Sequence, residues 1–339
     1  MKKVIDMASI PLYQHDEIAS RPENANTGLW YDKFCNQWTD DWGPIGDRKK
    51  DWIQTVTDGE IGNRDEIEII NKRMKKLIES SSGKVFQFKN ESRFVTGLGK
   101  NHPVENGFTW HHSLGVPYIP GTSVKGIVRD WARQNGVEKS KIDRLFGPDD
   151  NSERSAGSII FLDALPAKPV SLSADIMTPH YGPYYSDQEI PGDWHDPNPI
   201  PFLTVDKDQE FLFGILSRGD VSNEEIDEVG NWLIEALDWS GAGAKTNVGY
   251  GRFKHIKIRS PAENWLIEIS EEFGIDISKI TSNPTKDVIS RWSDIKDKDF
   301  KTEVAIILKN RIILEDNWDG KRWGQLEKLK KALKQYMGG

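Results

Sequence analysis

Three cations recur at intervals of four along one stretch, "TSVKGIVRDWARQ": Lys125, Arg129 and Arg133. On a helix that spacing lines them along one face. Val124, Ile127, Val128 and Trp131 form an apolar stripe on another face. An apolar stripe docks a helix, and a basic stripe beside it suits anions. A second stretch, "WSGAGAKTNVGYGRF" (residues 239–253), sets Lys245, Thr246 and Arg252 among four glycines, Gly241, Gly243, Gly249 and Gly251. Such a loop can bring backbone N–H groups close to an anion. Both stretches are candidates for phosphate binding; the other reading of the stripe is a solvated charged face.

The loop is not a nucleotide motif. A Walker-type loop needs glycine where Ala244 and Trp239 stand. The dinucleotide pattern begins at Gly241 and Gly243 and then meets Thr246. The element order is also reversed. Upstream, Ile226, Val229, Leu233 and Leu237 recur at helical spacing; downstream, "GYGRFKHIKI" alternates like a strand. A phosphate site on a helix N-terminus needs strand, loop, helix; here the order is helix, loop, strand. A second role for the glycines is to stop the helix near Ser240 and turn the chain. That role accounts for Gly241 but not for Lys245, Thr246 or Gly249.

Acid–base chemistry has candidates too. His102, His111 and His112 precede the first core helix, and Asp163 and Asp175 are acidic positions in the core. No motif supplies a paired nucleophile. Adjacent histidines on a strand point to opposite faces, and Cys35 is the one cysteine, so the pattern predicts neither a metal site nor a cofactor.

The elements that must position these residues follow from periodicity. "RDEIEIINKRMKKLIESS" is a helical pattern within a polar N-terminal extension, residues 1–83. "KVFQFKNESRFVTGLG" alternates as a strand, "IPGTSVKGIVRDWARQ" reads as turn and helix with Thr122 or Ser123 as cap, and "AGSIIFLDALPA" reads as a buried strand. A long proline- and aromatic-rich loop follows, about residues 177–200. "FLTVDKDQEFLFGILS" is a further strand region, and the helix, glycine loop and last strand close the core. Strand–helix–strand–strand–helix–strand is the split βαβ order of a ferredoxin-like α+β domain, residues 84–260. Residues 261–339 are helical in pattern, with Leu326, Leu329, Leu333 and Tyr336 along one stripe.

The 339 residues suit two or three domains. A net charge of −8 argues against a protein that searches alone for free nucleic acid. It leaves open one held on RNA within an assembly, where only a local basic face matters. No apolar run approaches a membrane span. "MKKVIDMASIPLYQ" lacks the apolar centre of a secretory signal, and a single cysteine fits a reducing, cytoplasmic setting.

With these residues in view, the chain resembles a known family. "VPYIPGTSVKGIVRDWAR" and "GAGAKTNVGYGRF" are similar to the two glycine-containing motifs of the RAMP superfamily of CRISPR proteins. "FVTGLGKNHPVENGFTWHHSLGVPYIPG", "LDALPAKPVSLSADIMTPHYGPYY" and "NTGLWYDKF" resemble, within it, the sixth-subunit family of the type III-B (Cmr) effectors. The resemblance covers roughly residues 24–258 and leaves the tail from 261 unassigned. It implies a ferredoxin-like, RNA-recognition-type core with an inserted thumb at about 177–200. It also implies a non-catalytic subunit near the 3′ end of the CRISPR guide RNA, working on target RNA beside other Cmr subunits: backbone RAMPs, a small helical subunit and a capping RAMP. Carried over, Lys125, Arg129 and Arg133 would meet phosphates, and Gly241, Gly243, Lys245, Thr246, Gly249 and Arg252 would line the backbone. His102, His180, Tyr181 and Tyr184, with Tyr185 and Trp194, would contact or stack on RNA. Backbone contacts carry no sequence information, which suits a subunit that must accept any guide. The related backbone subunits cut target RNA with an aspartate; here the loop before the first core helix offers Glu105 and no aspartate. The alternative is a RAMP-fold ribonuclease using His111, His112 or Asp163.

Overall fold

The computed structural model describes residues 21–37, 48–149, 155–179, 182–187, 189–190, 192, 194, 197–219, 221–257, 260–275 and 286–314. Residues 1–256 form one compact unit and residues 257–339 a second. The first unit runs α1 (Thr27–Lys33), α2 (Lys49–Gln54), β1 (Glu60–Ile61), α3 (Arg64–Ser80), β2 (Lys84–Asn90), α4 (Gly121–Gln134), α5 (Lys139–Phe146), β3 (Ile159–Phe161), β4 (Leu165–Pro166) and β5 (Val170–Met177). It continues with α6 (Gly182–Tyr185), β6 (Ile200–Val205), β7 (Glu210–Ser217), α7 (Asn223–Trp239) and β8 (Phe253–Ile256).

The main sheet is antiparallel in the order β3–β7–β2–β8, with β4 also pairing β7. Taking β2, α4, β3, β7, α7 and β8 as the six core elements gives the ferredoxin-like order expected from the sequence. β7 reads "EFLFGILS" and is buried almost throughout, because both its faces are covered. Phe211, Phe213 and Ile215 join the main core with Phe88, Val124, Val128, Val229 and Leu233. Leu212 and Leu216 pack instead with Met74 and Ile78 of α3. An RNA-recognition-type core often reads RNA on an open sheet face; α3 occupies that face here.

Local sequence explains why these helices begin where they do. Asn63 caps α3 by accepting from the Asp65 and Glu66 amides at 3.0 and 3.2 Å. Ser222 and Glu225 form a reciprocal capping box at the start of α7. The segment 1–83 was expected to stand apart as an extension. Its described part instead shares the main core: Trp30, Tyr31, Trp52 and Ile53 pack in one cluster with Phe108 and Trp110.

β1 and β5 were not expected from the sequence, and β6 and β7 were expected as one strand region. β5 and β6 pair with each other, and β1 joins β5, forming a separate three-stranded sheet. "FLTVDKDQEFLFGILS" is therefore not one strand region: β6 and β7 lie in different sheets, joined by a turn at 206–209. The long loop leaves this hairpin between Met177 and Ile200, which are paired. The base of the hairpin meets the core, since Phe94, just after β2, bridges Val205.

The second unit contains α8 (Pro261–Phe273), α9 (Lys286–Ser293) and α10 (Lys298–Leu314). Leu266, Ile269, Val288, Trp292 and Val304 form its apolar cluster. Ser260 and Glu263 box the start of α8, and Gly274 ends it in a left-handed conformation. The Leu326–Tyr336 stripe lies outside the described residues. No described helix is long and apolar enough to cross a membrane.

Candidate nucleic-acid interface

Helix α4 buries Val124, Val128 and Ala132. Its cap is not Thr122 or Ser123. Pro120 holds the cap position without a side-chain bond, and Asp163 Oδ1 accepts the Gly121 N–H at 2.7 Å. Asp163, a candidate for catalysis, is thus a carboxylate supporting a helix N-terminus. Glycine is needed at 121 because a Cβ there would overlap the Phe161 carbonyl.

The basic stripe divides. Arg129 is only 16% exposed; it donates to the Gly147 carbonyl at 2.8 Å and pairs with Asp149 at 2.8 Å and Asp143 at 3.7 Å. Arg133 also pairs with Asp149. Their charges are engaged by α5 and the segment after it. Lys125 has no hydrogen bond or ion pair among the described residues. Burial first, and Arg129 second, hold its ammonium below the usual lysine range. Of the three cations in the stripe, Lys125 is the one left without a counter-ion among the described residues.

The glycine loop folds against the segment after β2. Ala244 N–H donates to Val95 O at 2.8 Å, Gly251 N–H to Arg93 O at 2.8 Å, and Ala242 N–H to Gly251 O at 2.8 Å. Gly243 has φ +94°, and a Cβ there would overlap the Val95 carbonyl. The close approach made possible by Gly243 is thus to the protein's own backbone. Gly241, left-handed just after the Ser240 cap, ends α7. Gly249 differs: its φ is +95°, but nothing lies within 4 Å of where a Cβ would stand. It faces open space with the exposed Asn247 and Val248. Lys245 is left-handed at φ +62°, and its Nζ sits 5.8 Å from the Phe202 ring centre on β6. Thr246 opens a short 3₁₀ turn, and Arg252 donates to the Asp238 carbonyl at 3.5 Å.

Topology brings α4 and this loop together. β2 and β3 both run antiparallel to β7, so α4 returns against them; α7, between β7 and β8, runs the opposite way to α4. Trp131 Nε1 donates to Glu235 Oε2 at 3.2 Å, which fixes the register of the two helices. Six residues toward the start of α4 is Lys125, and six beyond Glu235 is Gly241. At 1.5 Å per residue Lys125 lies about 9 Å along α4, and α7 runs about 6 Å past Glu235 to Trp239 before the chain turns at Gly241, at the same end of the core.

Beyond the loop lies a network that sequence reading did not find. Tyr250 donates to Asp175 Oδ2 at 2.7 Å, and Arg93 bridges Asp175 at 3.3 Å and Asp206 at 3.4 Å. Burial alone would raise the Asp175 carboxyl, but the Tyr250 hydroxyl, the Ile176 amide and Arg93 outweigh it and hold it below the usual range. Burial and Asp175 push the Tyr250 phenol up to about 12. Asp175 is therefore a strut between the second sheet and the loop.

The histidines divide as well. His102 was expected to contact RNA, but its side chain is 4% exposed and stacks on Tyr31 at 4.4 Å. Its Nε2–H donates to Tyr31 O at 3.1 Å, and Nδ1 accepts the Val104 amide at 3.3 Å. With its ring covered and both nitrogens engaged, His102 is removed from an RNA surface. His111 Nδ1 accepts the Leu114 amide at 3.2 Å, and His112 is exposed. Glu105 pairs with Lys49. On the projecting loop, Tyr184, Tyr185 and Trp194 are exposed; His180 and Tyr181 lie outside the described residues. Among the described residues no His, Cys, Asp and Glu gather as metal ligands.

Residues 87–254 match the family model of the RAMP superfamily. The CRISPR system Cmr subunit Cmr6 of Pyrococcus furiosus is 32% identical over 233 residues, covering 49% of this chain and 66% of that protein. The Cmr6 subunit of Saccharolobus solfataricus is 30% identical over 166 residues, covering 48% of this chain and 53% of its own. The chain thus spans somewhat under two thirds of the first relative's length and about half of the second's. In fold it is similar to a chain of the type III-B Cmr-beta complex solved bound to cognate target RNA, with a TM-score of 0.51 and 20% identity over 63% of this chain and 73% of that one. The motifs, the sheet order and these relatives together make the chain a Cmr6-like member of the RAMP superfamily.

Proposed function

We propose that the chain is a non-catalytic RNA-binding subunit of a type III-B CRISPR effector, holding the 3′ region of the guide RNA beside other Cmr subunits and the target RNA. The observation that carries this reading is Lys125, a half-buried cation without a protein partner among the described residues, at the end of the core where the glycine loop begins. Lys245 and Arg252 add charge at the same end, and the contacts they offer suit phosphates of any sequence. The relatives' names supply the assembly. Absence of catalysis is supported by the engagement of the candidate groups: His102 is packed, His111 Nδ1 accepts an amide, Asp163 supports a helix and Asp175 a strut.

The test is co-expression of the full chain with the other type III-B subunits and a guide RNA. The chain is expected to co-purify with the guide and to protect its 3′ region from nuclease. Labelled guide and target RNA incubated with the chain alone, with and without Mg²⁺, should stay intact. Specific cleavage abolished by His111→Ala or Asp163→Asn would instead establish a ribonuclease.

A further inference from the structure

Trp239, the last residue of α7, is 74% exposed, and its indole has no hydrogen bond, ring partner or cation contact among the described residues. Its exposure is not inherited from the pattern of the helix. Trp232 lies two turns earlier on nearly the same side of α7, yet it is 9% exposed, stacked near Phe146 and overlain by Lys141. The stripe that buries Trp232 therefore runs on past the elements that cover it. It ends in a bare indole where the glycine loop begins. The last turn of α7 also carries Glu235 and Asp238, and two cations come to the same end of the helix. Arg252 bonds the carbonyl of Asp238, the residue before it. Lys125 stands level with this end of α7 by the Trp131–Glu235 register. An exposed indole beside cations is the arrangement by which proteins hold single-stranded nucleic acid, stacking a base while charges track the backbone.

Resting on the RNA-binding reading above, we infer that Trp239 is a stacking platform for an unpaired RNA base at the mouth of the glycine loop, with Lys125 and Arg252 flanking it for the phosphates. Stacking is indifferent to base identity, so the site would remain sequence-tolerant. It would also add affinity that salt does not screen, unlike the lysine contacts.

Fluorescence anisotropy of the full-length chain with an unstructured, labelled single-stranded RNA tests this over a salt series. Trp239→Ala is expected to weaken binding roughly tenfold, and Trp239→Phe by less than about threefold. The log–log salt slope should be unchanged in both, because the cations that neutralise phosphates all remain. Replacing scattered nucleotides with abasic ones should weaken the unaltered chain but not Trp239→Ala. Equal affinity of Trp239→Ala and the unaltered chain would overturn the inference while leaving the RNA-binding reading intact. So would intact RNA binding by Trp239→Ala together with failure to associate with co-expressed effector subunits, which would make the indole a protein-docking anchor. If the unaltered chain retains no RNA either alone or with its co-expressed subunits, the RNA-binding reading fails and this inference falls with it.

Discussion

The Tyr250 hydroxyl donates a 2.7 Å hydrogen bond to Asp175 Oδ2, from the glycine loop to the second sheet. Tyr250 belongs to the glycine loop after α7; Asp175 belongs to β5, in the hairpin that carries the long projecting loop. The bond ties the loop packed against the core to the hairpin of the second sheet. A charge-assisted bond of this kind contributes about 1.5–3 kcal/mol. Tyr250→Phe is expected to lower stability by about 2 kcal/mol in urea denaturation, and Asp175→Asn by a similar amount. The double variant should cost little more than either single one. Fully additive losses would show that the two residues act separately.

Lys125 and Arg129 are one turn apart and should behave oppositely. Lys125 has no partner among the described residues, so Lys125→Ala should leave stability within about 0.5 kcal/mol. It should weaken RNA binding uniformly across sequences and flatten the log–log salt slope by about 0.7 for each phosphate no longer neutralised. Arg129 is held by Asp149, Asp143 and the Gly147 carbonyl. Arg129→Ala should cost about 2 kcal/mol of stability, somewhat less than breaking a fully buried ion pair, with the salt slope kept. A flattened slope for Arg129→Ala at unchanged stability would contradict this division.

The glycine loop separates in the same way. Gly243→Ala places a methyl against the Val95 carbonyl at a positive φ. It should destabilise the protein by at least about 1–3 kcal/mol. Lys245→Ala should leave the melting temperature nearly unchanged and weaken RNA retention. A Gly243→Ala protein as stable as the parent would show that the loop has room the geometry denies it.

Much of this arrangement is legible in the sequence because it is local. The 3.6-residue stripes of α3, α4 and α7 give the helices, and the order of strands and helices gives the ferredoxin-like core. Gly241 as a helix stop is equally local. What was missed depends on contacts far apart in sequence. β5 carries a period-two signal at Val170, Leu172 and Ala174, but its sheet partners are β1 and β6, and no local pattern names them. Arg129 and Lys125 share one stripe, and only the return of Asp149 past α5 distinguishes them. Trp239 and Trp232 share a stripe as well, and what covers one and not the other is tertiary. His102 looked available because loops before helices often are; Tyr31, from a segment 71 residues earlier, covers it.

His102 contributes an acid dependence to stability. Burial is the main cause that holds its imidazole down to about 4, against which the Tyr31 carbonyl pulls upward and Lys33 adds a smaller depression. An unfolded histidine titrates near 6.5. A folded-state value below the unfolded one means that the unfolded chain takes up the proton first as pH falls. The contribution of His102 is therefore complete above about pH 6.5, declines between about 6.5 and 4, and is gone below about 4. The full difference corresponds to about 3 kcal/mol. Urea denaturation at pH 7.5, 6, 5 and 4.5 should show this loss in the parent chain. His102→Gln keeps a donor and an acceptor but cannot take up a proton; it should be less stable at pH 7.5 and lose less between 7.5 and 4.5. Parallel curves for the two proteins over that range would mean that another group carries the titration.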